Sequence, residues 1–188
     1  MKTLKLKLTG IAPLMMHSER AANPRDKGTI ELKKIATQKK KSEETLEQLA
    51  EMEWRLGIYE QAGVPCLPAD NLLACVKEGA RKRKIGKQVE AGVFTEQKYF
   101  TLDYDGPKTV DGLWKDGRFF DYRSVGVNQR RVMRARPRFD EWSAVVAMVF
   151  DEELISESDL LDVCGIAGLQ VGLCEKRPQF GRFQVEAV

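Results

Sequence analysis

The chain has 188 residues, 43% of them hydrophobic, which is enough for one good core and favours a single elaborated domain over two. With 31 Lys and Arg against 28 Asp and Glu, the formal net charge of +3 is too small to argue for any class of partner. Cysteines 66, 75, 164 and 174 form no CxxC pair and the chain has one histidine, which argues against structural zinc; no metal or cofactor is expected.

The opening residues run directly into a strand pattern rather than a secretory signal, and no segment is long and apolar enough to span a bilayer. A cytoplasmic protein with no membrane partner is the expectation. Its charges are segregated: cations gather at Arg25 to Lys41, Lys77 to Lys87 and Arg118 to Arg138. Acids gather at Glu43 to Glu60 and from Asp140 to Asp162, the second stretch holding no Lys or Arg. Such segregation suits an anionic ligand, and it also suits head-to-tail self-association.

In chain order, Leu4, Leu6 and Leu8 alternate with Lys5 and Lys7 as a strand with one core face and one wet face. Residues 17–41 lose periodicity and turn basic, with Asn23-Pro24 and Lys27-Gly28 as turn signals, so a mobile excursion is expected. Ser42 is a good N-cap for a helix carrying Glu43 and Glu44 in its first turn and running to about Leu56. After Gly63-Val64-Pro65, a second helix places Leu72, Leu73, Val76 and Ala80 on one face and ends in Arg81, Lys82, Arg83 and Lys84. These cations complement the helix dipole, but they exceed what a solvated helix end needs, and the surplus suggests an anion path. A strand is expected at Gln97–Asp103, and from Asp105 to Val127 a hairpin or ordered projection rich in aromatics.

Arg130, Arg134, Arg136 and Arg138 then share one strand face with Val132, and Met133, Ala135, Pro137 and Phe139 share the other. Like charges along one face repel, so this row needs an anion or neighbouring acids. The acidic stretch Asp140 to Asp162, with Glu152 and Glu153, is the nearest source. An apolar strand, Ser143–Phe150, follows, and then a helix starting at Ser156 with Asp159 as its capping-box partner, burying Leu160, Val163, Cys164 and Ala167. The final stretch, Gly172 to Phe183, is a loop with Lys176, Arg177, Arg182 and an exposed-looking Phe180 between two glycines, followed by a last short strand. Glycines let a backbone approach a sugar-phosphate chain, and equally they supply positive φ in a helix-to-strand connection.

The order of elements is an α+β plan, a decorated βαββαβ arrangement of the ferredoxin-like kind that RNA-recognition motifs also use. One domain over 1–188 is expected, with a basic and helical insertion at about 17–60 and a projection at about 105–127. Three segments carry a resemblance: Leu8-Thr9-Gly10-Ile11-Ala12-Pro13-Leu14, Val64 to Leu73, and the terminal loop and strand Gly172 to Phe183. In these the chain resembles the RAMP superfamily, specifically the backbone subunits of CRISPR effector complexes, and short phage and prophage proteins of the same plan. Where that family has proline, glycine and serine before the first core helix, this chain has Pro68-Ala69-Asp70-Asn71, and its terminal loop holds fewer glycines.

The resemblance implies a non-enzymatic protein that binds single-stranded RNA, or single-stranded DNA, and assembles in several copies along it, with the insertion and the projection acting as finger and thumb. The residues offered for that contact are Lys33, Lys34, Arg81, Lys82, Arg83, Arg130, Arg134, Arg136, Lys176, Arg177, Phe180 and Arg182. Two alternatives stand beside it. One is a metal-independent endoribonuclease in which His17, the single histidine, near the end of the first strand, activates a ribose 2′-hydroxyl. The other is a protein-interaction module or decoy that docks on a CRISPR-like ribonucleoprotein complex.

Overall fold

In the computed structural model, which describes residues 1–127 and 130–188, the elements in chain order begin with β1 (Lys2–Gly10), β2 (Leu14–Met15), α1 (Lys27–Ala36) and α2 (Glu43–Gly57). Next come β3 (Glu60–Gln61), β4 (Val64–Pro68), α3 (Ala69–Lys82), α4 (Gly86–Gly92), β5 (Val93–Phe94), β6 (Tyr99–Asp103) and α5 (Val110–Asp116). The chain closes with β7 (Phe120–Val127), β8 (Arg130–Phe139), β9 (Ser143–Phe150), α6 (Glu157–Gln170) and β10 (Phe183–Ala187). This is an α+β protein. It divides into two compact units, one built from residues 1–15, 60–106 and 139–188, the other from 16–59 and 107–138.

The first unit is an antiparallel sheet in the order β10-β1-β9-β6-β4-β3, with β5 also on β9. Leu4, Leu6 and Leu8 are buried and Lys5 and Lys7 exposed, as strict alternation requires when one face of a sheet is covered. α6 packs on the leucine face through Gly168, which lies against Phe183, and α3 packs against α6 where Gly79 meets Ala167. The thiols of Cys75 and Cys164 are buried on these two helices, and burial pushes both up to about 12. They are small core residues without thiolate character.

The second unit holds α1, α2, α5 and the β7–β8 hairpin. The Ser42 side chain accepts from the Thr45 backbone at 3.2 Å and starts α2 as its sequence requires. Within residues 17–41, expected to lack regular structure, α1 forms because the Asp26 side chain caps the Thr29 N–H at 3.1 Å. Lys27-Gly28 is therefore a first helical turn, not a loop turn. The stretch Asp105 to Val127, expected as a hairpin or ordered projection rather than a helix, holds a short helix and one strand. Thr109 caps α5 at its start, and Gly117, at φ +77°, ends it, so the Asp116-Gly117 pair is a helix stop. The true hairpin is one element later.

Candidate nucleic-acid interface

In the hairpin, Asp121 stands opposite Arg136, Tyr122 opposite Ala135 and Arg123 opposite Arg134, so the strand alternation read from the sequence holds. One face carries Arg123, Arg134, Arg136 and Arg138. Four guanidinium groups on one small surface would repel, and two carboxylates hold them. Glu53 of α2 accepts from Arg134 at 2.5 Å and from the Ala135 backbone N–H at 2.8 Å. Asp121 accepts from the Nε–H and a terminal N–H of the Arg123 guanidinium and, at a longer 3.5 Å, from Arg138. The acids thus come from α2 and β7, not from the Asp140 to Asp162 stretch. Arg136 is buried, 8% exposed, so it is part of the packing and not a surface contact. The Arg130 side chain lies outside the described residues.

Burial works to raise the Asp121 pKa, but Arg123 and then Arg138 outweigh it and hold the carboxyl below the usual range. A carboxyl whose folded value is depressed adds stability above its unfolded pKa of about 3.9 and loses it as pH falls through the folded value. Thermal melts followed from neutral into acid pH should therefore show a loss setting in below about pH 4. Asp121→Asn should be less stable at neutral pH and flatter in acid. An unchanged acid limb in that variant would remove Asp121 from the account.

The other hairpin face is aromatic. Trp54, fully buried, meets Trp114 at 5.4 Å, Trp114 meets Phe120 edge-on at 5.5 Å, and Phe120 stacks on Tyr122 at 5.8 Å with 16° between planes. The ladder runs outward: Tyr122 is 48% exposed and Met133, on the same face, is 45% exposed. Arg131 shares that face, is exposed, and has no ion-pair partner among the described residues. Tyr122 and Arg131 lie outside the set offered from the sequence. Their signal was the odd-numbered side of the same β8 alternation, which puts Met133 and, further along, Arg131 on the face that carries the aromatics.

The first unit brings together a different group. Leu173 N–H donates to Gly181 O at 2.9 Å, Gly181 N–H to Pro13 O at 2.8 Å and Glu175 N–H to Met15 O at 2.9 Å, so the loop from 171 to 182 is tied down along its length. Gly181, at φ +70°, has no room for a Cβ, which would lie 2.0 Å from the Leu173 carbonyl oxygen. The glycine therefore serves the loop's own closure. Phe180, expected to be exposed, is 7% exposed and belongs to the core, because the loop folds back on itself. Arg177 and Arg182 point to solvent and Lys176 is half-buried; none has an ion-pair partner among the described residues.

Asn71 at the start of α3 reaches Cys174 of this loop at 3.5 Å, so the loop sits by that helix's N-terminus. Arg81, Lys82 and Arg83 are at its other end, about 20 Å away along the axis. They do not join the loop cations. Arg81 pairs with Glu78 of its own helix, and Arg83 with Asp162 at 3.0 Å and Asp159 at 3.4 Å of α6, so these two cations of the expected surplus are matched by acids. Lys33 and Lys34 are exposed on α1. His17 is exposed, and its backbone carbonyl accepts from the Tyr59 hydroxyl at 3.0 Å. Among the described residues no group of three or more His, Cys, Asp or Glu is placed to hold a metal ion, and no helix is long and apolar enough to cross a membrane. No protein-family model matches the chain, and no curated protein matches it.

Proposed function

We propose that this protein binds single-stranded nucleic acid, RNA or DNA, without cleaving it, and that several copies occupy one strand. The observation that carries this reading is the ladder Trp114-Phe120-Tyr122, which ends at a half-exposed ring, with Arg131 further along the same hairpin face, opposite Gly126. A rigid aromatic step takes bases of any identity by stacking, and a cation further along the same face can meet the backbone of the strand that the ring holds. The tied-down loop with Lys176, Arg177 and Arg182 supplies a second, purely electrostatic contact that positions phosphates without reading sequence.

The sheet order β10-β1-β9-β6, all antiparallel, with α3 and α6 as its two connecting helices, supports a ferredoxin-like βαββαβ core, and through it the proposed kinship with RAMP backbone subunits. Fold alone would not give function; the stacked ring and the loop cations do. The test is fluorescence anisotropy with labelled RNA and DNA oligonucleotides across a salt series. Affinity is expected to fall steeply with salt, and Tyr122→Ala to cost about 1–3 kcal/mol on every base sequence alike. RNA is expected to survive in chelator, with or without His17→Ala. Salt-independent binding, or a Tyr122→Ala protein that binds as wild type, would turn the reading toward protein docking. Chelator-resistant cleavage lost with His17 would turn it toward a ribonuclease.

A further inference from the structure

β10 is the last strand of its sheet, and no strand pairs with its outer side among the described residues. On its inner side Val188 N–H donates to Lys5 O at 3.1 Å and Ile11 N–H to Arg182 O at 2.9 Å, so the even-numbered residues make the bonds to β1. Antiparallel alternation then turns the backbone N–H and C=O of Val185 and Ala187 outward along the free edge. Edge strands are ordinarily protected by charged side chains, proline, a bulge or a covering element; Phe183–Ala187 holds no lysine or proline, and Glu186 is its one charge.

The helix above this edge is apolar beyond what its own unit uses. Leu160, Val163, Cys164 and Ala167 are buried, yet Leu161, Ile166 and Leu169, with Val185, line an open groove closed at one end by the Arg83–Asp162 pair. Leu169 is 48% exposed. A helix apolar on both sides is one that is buried on both sides. Gly165, in the same groove, adds an independent sign. A Cβ at Gly168 would lie 2.3 Å from the Phe183 carbonyl oxygen and one at Gly79 would lie 2.8 Å from Ala167 Cβ, so those glycines are required by the chain's own packing. At Gly165 a Cβ would meet only Val185 Cγ2, at an ordinary 3.9 Å. Glycine in mid-helix is unfavourable, and nothing inside this chain calls for it there.

We propose that the groove and edge are a two-fold interface between copies of this chain, with β10 paired antiparallel to β10 and the two α6 helices side by side over the seam. The strand is self-complementary in that register. Pairing about Val185 sets Val185 against its twin and Gln184 against Glu186 of the partner subunit, so no like charges meet. An axis normal to the sheet puts both α6 helices on the same side, each offering Leu161, Ile166 and Leu169 to the other. α6 runs antiparallel to β10, with Gly168 over Phe183 and Gly165 over Val185, so the unexplained glycine falls at the axis, where the helices come closest. This dimer is independent of the nucleic-acid reading.

The measurement is light-scattering mass on nuclease-treated protein, without oligonucleotide. Wild type is expected at twice the 21.3 kDa chain mass. Gly165→Gln puts a good helix former into the groove, so its melting temperature should hold or rise while its mass falls to one chain. Val185→Pro removes an N–H that faces away from β1 and should also give a monomer. Both variants should still bind oligonucleotide, which keeps failure of the interface separate from failure of the binding function. A wild-type protein that stays monomeric at its highest soluble concentration would overturn the proposal and leave the groove to a foreign strand. A Gly165→Gln protein that remains dimeric would overturn it equally.

Discussion

Trp54→Ala is expected to lower the thermal midpoint by about 6–20 °C, from a loss of about 3–5 kcal/mol at about 2–4 °C per kcal/mol for a chain of this size. The ring is fully buried, meets Trp114 and donates its Nε1–H to the Phe119 carbonyl at 2.8 Å. Truncation leaves a large void and also strips a buried carbonyl of its donor. Trp54→Phe separates the two effects: it keeps most of the volume but leaves the buried carbonyl without its donor, and should lose about 1–3 kcal/mol. Far-UV circular dichroism melts check both. Because α2 and α5 meet at this ring, a loss of less than 1 kcal/mol in the alanine variant would mean that the second unit's core is assembled elsewhere.

Local patterns in the sequence were sufficient wherever one short-range rule decided the outcome. Alternation placed β1, an apolar run placed β9, and Ser42 and Ser156 placed the starts of α2 and α6, each by a side chain accepting from a backbone N–H three residues on. The rule misled where one residue type serves two geometries. Lys27-Gly28 and Asp116-Gly117 look like loop turns, yet the first is a capped helical turn and the second a helix stop. Long-range pairing left no local trace. Glu53 reaches Arg134 from α2, and nothing in the sequence near either residue announces it. For the same reason the row of arginines was legible as a row, while its neutralisation was not. Nor does periodicity reveal that residues 16–59 and 107–138, expected as separate excursions, form one compact unit. In the terminal loop the glycines admitted two uses, and the close approach of Gly181 to Leu173 decides for loop closure.

Replacing Lys176, Arg177 and Arg182 together by alanine is expected to flatten the salt dependence of oligonucleotide binding by a slope of about 2, since each single-strand phosphate neutralised contributes about 0.7. At about 1 kcal/mol per cation, the upper end for exposed ion pairs, affinity at low salt should fall by about two powers of ten. Folding should be unaffected. The loop is held by backbone bonds from Leu173, Glu175 and Gly181, and none of the three cations pairs with an acid among the described residues. The contrast is Arg81→Ala with Arg83→Ala, where each side chain already has a carboxylate, from Glu78 or from Asp159 and Asp162. Those cations have less charge to offer a phosphate, so that pair should change the slope by less than the loop triple. If the two sets prove equal, binding follows overall charge rather than a placed loop. If the triple leaves the slope untouched, the loop is a structural connection alone, and the aromatic ladder of the hairpin remains the contact to examine.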